Sequence, residues 1–231
     1  MLETNRVLRQ LIQPSDAAAD LGGIRFGARC LSTDTRLRIG GDWYLSLRRP
    51  DGDVIIAVGD VAGHGRNAAI MMIPLRFAAA AYAEQAAQAS PAALLASLNT
   101  MLCAGGRPAA TAVMARYRPA TGEITWARAG HPPMLLAAAD GTVGPLPNPP
   151  GPLLGVFPRA RYTEYTRSFP VGDRVVMYTD GIIRRGRHID DEIQALAARI
   201  ARTDRTRPLL DQLAVRSDHD DICVLVAERT E

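Results

Sequence analysis

The sequence predicts an α+β fold of antiparallel strands covered by helices that come in consecutive pairs. Three observations point to it. Apolar runs are joined by the short turn signals Pro50-Asp51-Gly52-Asp53 and Pro119-Ala120-Thr121-Gly122, which close hairpins. The helical stretches follow one another instead of alternating with strands, which argues against a doubly wound parallel sheet. At 47% hydrophobic and 22% charged residues, the chain can build a packed core and is not disordered.

The elements follow in order. Val7, Leu8, Leu11 and Ile12 share one helical face, and Pro14 with Ser15 ends that segment. Residues 1–15 therefore read as a linker helix, a dimer helix or a core helix, at the start of a single domain spanning residues 1–231 with no internal repeat. Strands are expected at IRFGARCL from Ile24, at WYLSLRR and at VIIAVG. Gly63-His64-Gly65 stops the last of these and opens an alanine-rich helix near Ala68, which Pro74 should kink or interrupt. Ser90-Pro91 starts a second helix, because Ser caps well and Pro suits the first helical position; Gly105-Gly106 ends it. ATAVMARYR, EITWARA, PMLLAAA, RYTEYTRSF and GDRVVMYT read as strands, with a Pro- and Gly-rich loop from Gly144 to Pro158. Two polar helices, Ile189–Arg202 and Pro208–Arg216, precede the closing strand ICVLVAE.

Several function classes recede on composition. A net charge of +3 with scattered arginines and only 5% aromatic residues argues against a nucleic-acid surface. The longest apolar run, Ala68 to Ala83, is broken by Pro74 and Arg76 and is too short to span a membrane. No signal peptide is visible, and Cys30, Cys103 and Cys223 read as buried thiols, so the expected compartment is the cytoplasm. The four histidines form no zinc-binding pattern.

Chemistry concentrates at four Asp-bearing corners, each at the edge of an expected strand. They are Gly40-Gly41-Asp42, Gly59-Asp60-Val61-Ala62-Gly63-His64-Gly65, Thr179-Asp180-Gly181 and Asp220-Asp221. Each alone is an ordinary turn. Together they could gather carboxylates on one sheet rim, and carboxylates without His or Cys partners suit hard cations such as magnesium and manganese. Two such ions would neutralise the cluster and clamp a phosphoryl group. His64 is either a general acid near the metals or a turn residue that starts the helix. His131 reads as a structural corner beside Pro132 and Pro133.

The segments GGDWY, GDVAGHGRNAAIMM, TAVMARY, AGHPPMLL, PLLGV, DRVVMYTDGI and DDICVLV occur in an order that resembles the SpoIIE/RsbU-like branch of the PPM metal-dependent protein phosphatases, over about Ile24 to Ala227. The resemblance implies a PPM-type αββα sandwich, two packed antiparallel sheets flanked by helix pairs. It implies Asp60 as the ligand bridging two manganese or magnesium ions, the main-chain carbonyl of Val61 as a further ligand, and Asp42, Asp180 and Asp220 as ligands of the second ion. Asp220 matches the ligand position better than Asp221. The implied reaction is hydrolysis of phosphoserine or phosphothreonine on a partner protein, typically a STAS-domain antagonist of an anti-sigma factor. Leu45, Ile183 with Arg184, and Cys223 depart from the family pattern without removing a proposed ligand. The alternatives are a pseudophosphatase that holds a phosphoprotein without turnover and a hydrolase of small phosphoesters.

Overall fold

The computed structural model of the chain describes residues 16–34, 38–63, 65–85, 89–106, 108–183, 188–203, 206–215 and 219–231. The expected N-terminal helix and His64 lie outside the described residues. The strands are β1 (Asp16–Asp20), β2 (Ile24–Leu31), β3 (Trp43–Arg48), β4 (Val54–Val61), β5 (Ala110–Arg118), β6 (Glu123–Ala129), β7 (Leu135–Ala137), β8 (Val143–Pro145), β9 (Glu164–Ser168), β10 (Arg174–Tyr178) and β11 (Ile222–Arg229). The helices are α1 (Gly65–Gln85), α2 (Pro91–Ala104), α3 (Ile189–Ile200) and α4 (Thr206–Leu213), with a 3₁₀ turn at Asp180–Ile182.

Two antiparallel sheets form, ordered β1-β2-β11-β10-β7-β8 and β3-β4-β5-β6-β9. Their central strands are apolar on both faces, and alternation sorts the side chains. Along β4, Val54, Ile56 and Val58 enter the layer between the sheets, whereas Ile55 and Ala57 face α1 and α2. Along β11, Cys223, Leu225 and Ala227 enter that same layer, whereas Ile222, Val224 and Val226 face α3 and α4. A strand covered on both faces reads as a continuous apolar run, and the resulting order of layers is helix pair, sheet, sheet, helix pair.

Three expectations change. First, Pro74 does not interrupt α1, which continues from Gly65 to Gln85. A proline there forfeits one backbone hydrogen bond, a cost of ~3 kcal/mol or more. The offset is the buried stripe Ala68, Ala69, Met72, Leu75, Ala79 and Ala83 against the sheet, in which each large apolar side chain contributes roughly 1.5–3 kcal/mol. Second, β1 forms from Asp-Ala-Ala-Ala-Asp, a weak strand sequence, because it adds to the edge of β2. Third, Cys30 and Cys223 are joined as a disulfide, and Cys103 alone is a free thiol. The two residues stand opposite each other on β2 and β11. Both main-chain groups of Cys223 bond Thr179 on its other side, and non-hydrogen-bonded antiparallel pairs bring side chains closest.

The loop after β8 contains more order than its prolines suggest. Trp126 Nε1 donates to the Pro147 carbonyl at 3.0 Å, Arg128 Nε to Pro149 at 3.0 Å, and the Gly130 N–H to Gly151 at 3.0 Å. Prolines cannot donate to a ladder, so side chains and a glycine of the adjoining segment donate instead. Among the described residues no helix is long and apolar enough to cross a membrane.

Candidate metal centre

Strand register brings the acidic corners to one place. Trp43 pairs with Gly59, so Asp42 and Asp60 sit at the same end of one sheet. Tyr178 pairs with Val224, so Asp180 and Asp220 sit at the same end of the other. The two ends are tied together by the Thr179 hydroxyl, which donates to Asp42 Oδ2 at 2.7 Å and accepts from the Cys223 N–H at 2.8 Å. Thr179 is fully buried. Its role went unread in the sequence, where only the Asp of Thr179-Asp180-Gly181 drew notice.

Close backbone approach explains the glycines. A Cβ on Gly41 would stand 2.7 Å from the Val61 carbonyl oxygen and 3.0 Å from Asp60 Oδ1. A Cβ on Gly181 would collide with the Asp221 carbonyl. Any larger residue would therefore push the corners apart.

The electrostatics are those of crowded anions. Asp42 is buried, and its carboxyl is raised well above the ordinary range by that burial and then by the charge of Asp60. Asp60 is raised to about 7, by burial first and then by Asp180, while a hydrogen bond shared with Asp42 opposes the shift. Asp220 and Asp221 add smaller repulsions to Asp60. The oxygen-only donor set and its uncompensated negative charge fit hard divalent cations in kind. Among the described residues, however, no three Asp, Glu, His or Cys side chains stand close enough together to hold one ion as they are.

Asp220 and Asp221 divide their work. Asp221 Oδ1 accepts from the Ser32 hydroxyl at 3.0 Å and from the Thr33 N–H at 2.8 Å, and Oδ2 accepts from the Gly41 N–H at 3.1 Å. It pins the loop after β2 and the Gly40-Gly41 corner to the start of β11. Asp220 is partly exposed, and its Oδ1 accepts the Asp221 N–H at 3.0 Å.

A cleft beside the aspartates is lined by Asp60, Thr111, Arg128, His131, Asn148 and Asp180 among others. His131 is 1% exposed and held at both ring nitrogens. Nε2 lies 3.0 Å from the Tyr178 carbonyl and Nδ1 lies 2.8 Å from the Thr111 hydroxyl. A carbonyl only accepts, so Nε2 carries the proton and Nδ1 accepts from Thr111. Burial lowers this imidazole to about 3, so it stays neutral. Thr111 pairs with Asp60 across β4 and β5, so His131 couples the Asp60 strand to the backbone just before Asp180. His188 and His219 are exposed.

Two packed antiparallel sheets between helix pairs, with aspartates gathered where the sheets meet, define a PP2C-like α+β fold. The SiaA-PP2C domain of Pseudomonas aeruginosa shares it at TM-score 0.75 and 20% identity, over 100% of this chain and 96% of that one. The chain belongs to the SpoIIE family: the match to Stage II sporulation protein E covers residues 50–230. Asp42 precedes that span, and Asp60, Asp180 and Asp220 fall within it.

The phosphoserine phosphatase RsbU of Bacillus subtilis (strain 168) is 27% identical over 172 residues, which are 73% of this chain and 48% of RsbU. The chain thus spans about half the length of that relative. The RsbU and RsbW domains of Rv1364c from Mycobacterium tuberculosis superpose at TM-score 0.81 with 26% identity, covering 94% of this chain and 63% of that one. The catalytic domain of the serine threonine protein phosphatase PstP, in complex with two manganese ions, matches the fold at TM-score 0.66 and 17% identity, over 90% of this chain and 99% of that one.

Proposed function

We propose that this chain is a divalent-metal-dependent phosphatase acting on phosphoserine or phosphothreonine of a partner protein. The observation that carries the reading is the repulsion at the junction of the sheets, where Asp42 and Asp60 are driven toward their neutral forms by burial and neighbouring carboxylates. Such a cluster is relieved by cations. Asp42, Asp60, the Val61 carbonyl, Asp180 and Asp220 would hold two manganese or magnesium ions, with Asp60 shared between them. Bound ions of this kind polarise a phosphoryl oxygen and lower the pKa of a coordinated water from 15.7 to roughly 7.

The chain's own residues supply position. Thr179 fixes the Asp42 carboxylate, and Asp221 holds the Gly41 corner beside it. His131 keeps its Nε2 proton on the Tyr178 carbonyl, so it orients the cleft and is not the proton donor. No cysteine is among the described residues lining the cleft, which supports water and not a thiolate as nucleophile.

Membership of the SpoIIE family and likeness to a phosphoserine phosphatase support a phosphoprotein substrate. We assign this substrate to the STAS-domain class. The test measures phosphate release from a phosphorylated STAS-domain protein and from small phosphoesters, with manganese, with chelator, and after manganese is restored. Release from the phosphoprotein should need the metal and return with it. Full release in excess chelator sinks the metal-dependent reading. Tight binding without release in manganese establishes the pseudophosphatase alternative.

A further inference from the structure

Arg128 brings a cation to the acidic cleft, and nothing in the metal reading uses it. Among the described residues lining this cleft it is the single Lys or Arg, and it stands with Asp60 and Asp180. Its guanidinium is half-buried and aligned by backbone: Nε donates to the Pro149 carbonyl at 3.0 Å and Nη1 to the His131 carbonyl at 2.7 Å. Neither partner carries charge. Among the described residues no carboxylate forms an ion pair with it, although Asp53, Asp173 and Asp211 each take an arginine elsewhere. A guanidinium has five N–H donors, and the two carbonyls engage one on Nε and one on Nη1. The remaining donors form a fixed planar fork of the shape that recognises phosphate bidentately.

We propose that Arg128 is the substrate-binding residue for the phosphoryl group, its remaining N–H groups donating to non-bridging oxygens of a phosphomonoester beside Asp60 and Asp180. The loop bearing Pro149 and the corner bearing His131 hold the fork in place before substrate arrives, so little side-chain freedom is lost on binding. This inference rests on the phosphatase reading, but its test has an arm that does not.

Calorimetry with inorganic phosphate on the manganese-loaded protein compares wild type, Arg128→Lys and Arg128→Gln, alongside KM, kcat, product inhibition by phosphate, melting temperature and manganese affinity. R128Q should weaken phosphate binding and raise KM roughly 10- to 100-fold, the scale of a charge-assisted hydrogen bond, with manganese affinity unchanged. R128K keeps the charge without the fork and should fall between. If Arg128 only braces Pro149 and His131, melting temperature and manganese affinity fall while phosphate affinity stays within about twofold of wild type, and the proposal is overturned. Should R128Q fail to fold, R128K decides on the same readouts. If wild type binds phosphate but releases none from any substrate, the phosphatase reading fails and the phosphate titrations still decide Arg128. No detectable phosphate binding by wild type overturns the inference.

Discussion

Asp60 and Asp221 are both aspartates at strand ends on the same wall of the molecule, yet their surroundings are opposite. Asp221 is buried among donors: the Ser32 hydroxyl, the Thr33 N–H and the Gly41 N–H. Burial first, and then the charges of Asp180 and Asp220, hold the proton on Asp60 up to about pH 7, while its hydrogen bond with Asp42 opposes the shift. One carboxylate is met by hydrogen-bond donors and the other mainly by burial and neighbouring carboxylates. The contrast separates a frame, made of Asp221, Thr179 and His131, from a reactive face, made of Asp42, Asp60, Asp180 and Asp220. A frame of hydrogen-bonded polar groups is what lets the face keep its carboxylates close together without the corner rearranging.

The contrast can be broken at either member. The largest effect is expected at Asp60. Asp60→Asn should lower manganese-dependent phosphate release by at least about 10²-fold, because even outer partners of metal ligands cost 10- to 100-fold. In chelator at pH 8 the same variant should melt no lower than wild type, since it removes repulsion. A large loss of melting temperature in the metal-free variant would move Asp60 into the frame.

Asp221→Ala should behave in the reverse manner. It strands buried donors and frees the Gly41 corner, a loss of roughly 2–4 kcal/mol. The melting temperature should drop by a similar amount with and without metal. An unchanged melting temperature, with activity alone lost, would place Asp221 on the reactive face.

The smallest effect is a pH slope in chelator. Asp60 has a folded value near 7, above its unfolded value, so its contribution is full below about pH 4 and is lost as pH rises through 7. His131 has the opposite sign: its folded value of about 3 lies below 6.5, so its contribution is present above 6.5 and is lost as pH falls toward 3. The stability difference between wild type and D60N separates the Asp60 contribution, with its effect on Asp42, from that of His131. Wild type should be favoured most near pH 4 and lose that advantage by pH 8. Denaturant midpoints measured across this range check it, and a flat difference contradicts the repulsion assigned to Asp60.

Most of the strands were legible because turn chemistry is local. Pro50-Asp51-Gly52-Asp53 sets its hairpin with bonds inside residues 49–53, and Ser90 caps α2 through its own third neighbour, Ala93. What went unread depends on partners distant in sequence. β1 exists because β2 offers an edge, and α1 survives Pro74 because a sheet lies beneath it. Arg128 is aligned only because the loop at Pro149 and the corner at His131, both outside its strand, accept from it.

By itself, the sequence determined the α+β class, the hairpins, the helix pairs and the four acidic corners, since each rests on contacts within a few residues. Only the tertiary structure decided which groups meet. Residues 42, 60, 180 and 220 come together through strand register in two sheets and one threonine hydroxyl between them. The pairing of Cys30 with Cys223 across 193 residues has the same origin. So does the division between Asp220 and Asp221: neighbouring residues with identical side chains differ in what the fold sets opposite each, buried donors around Asp221 and a partly exposed cleft edge at Asp220.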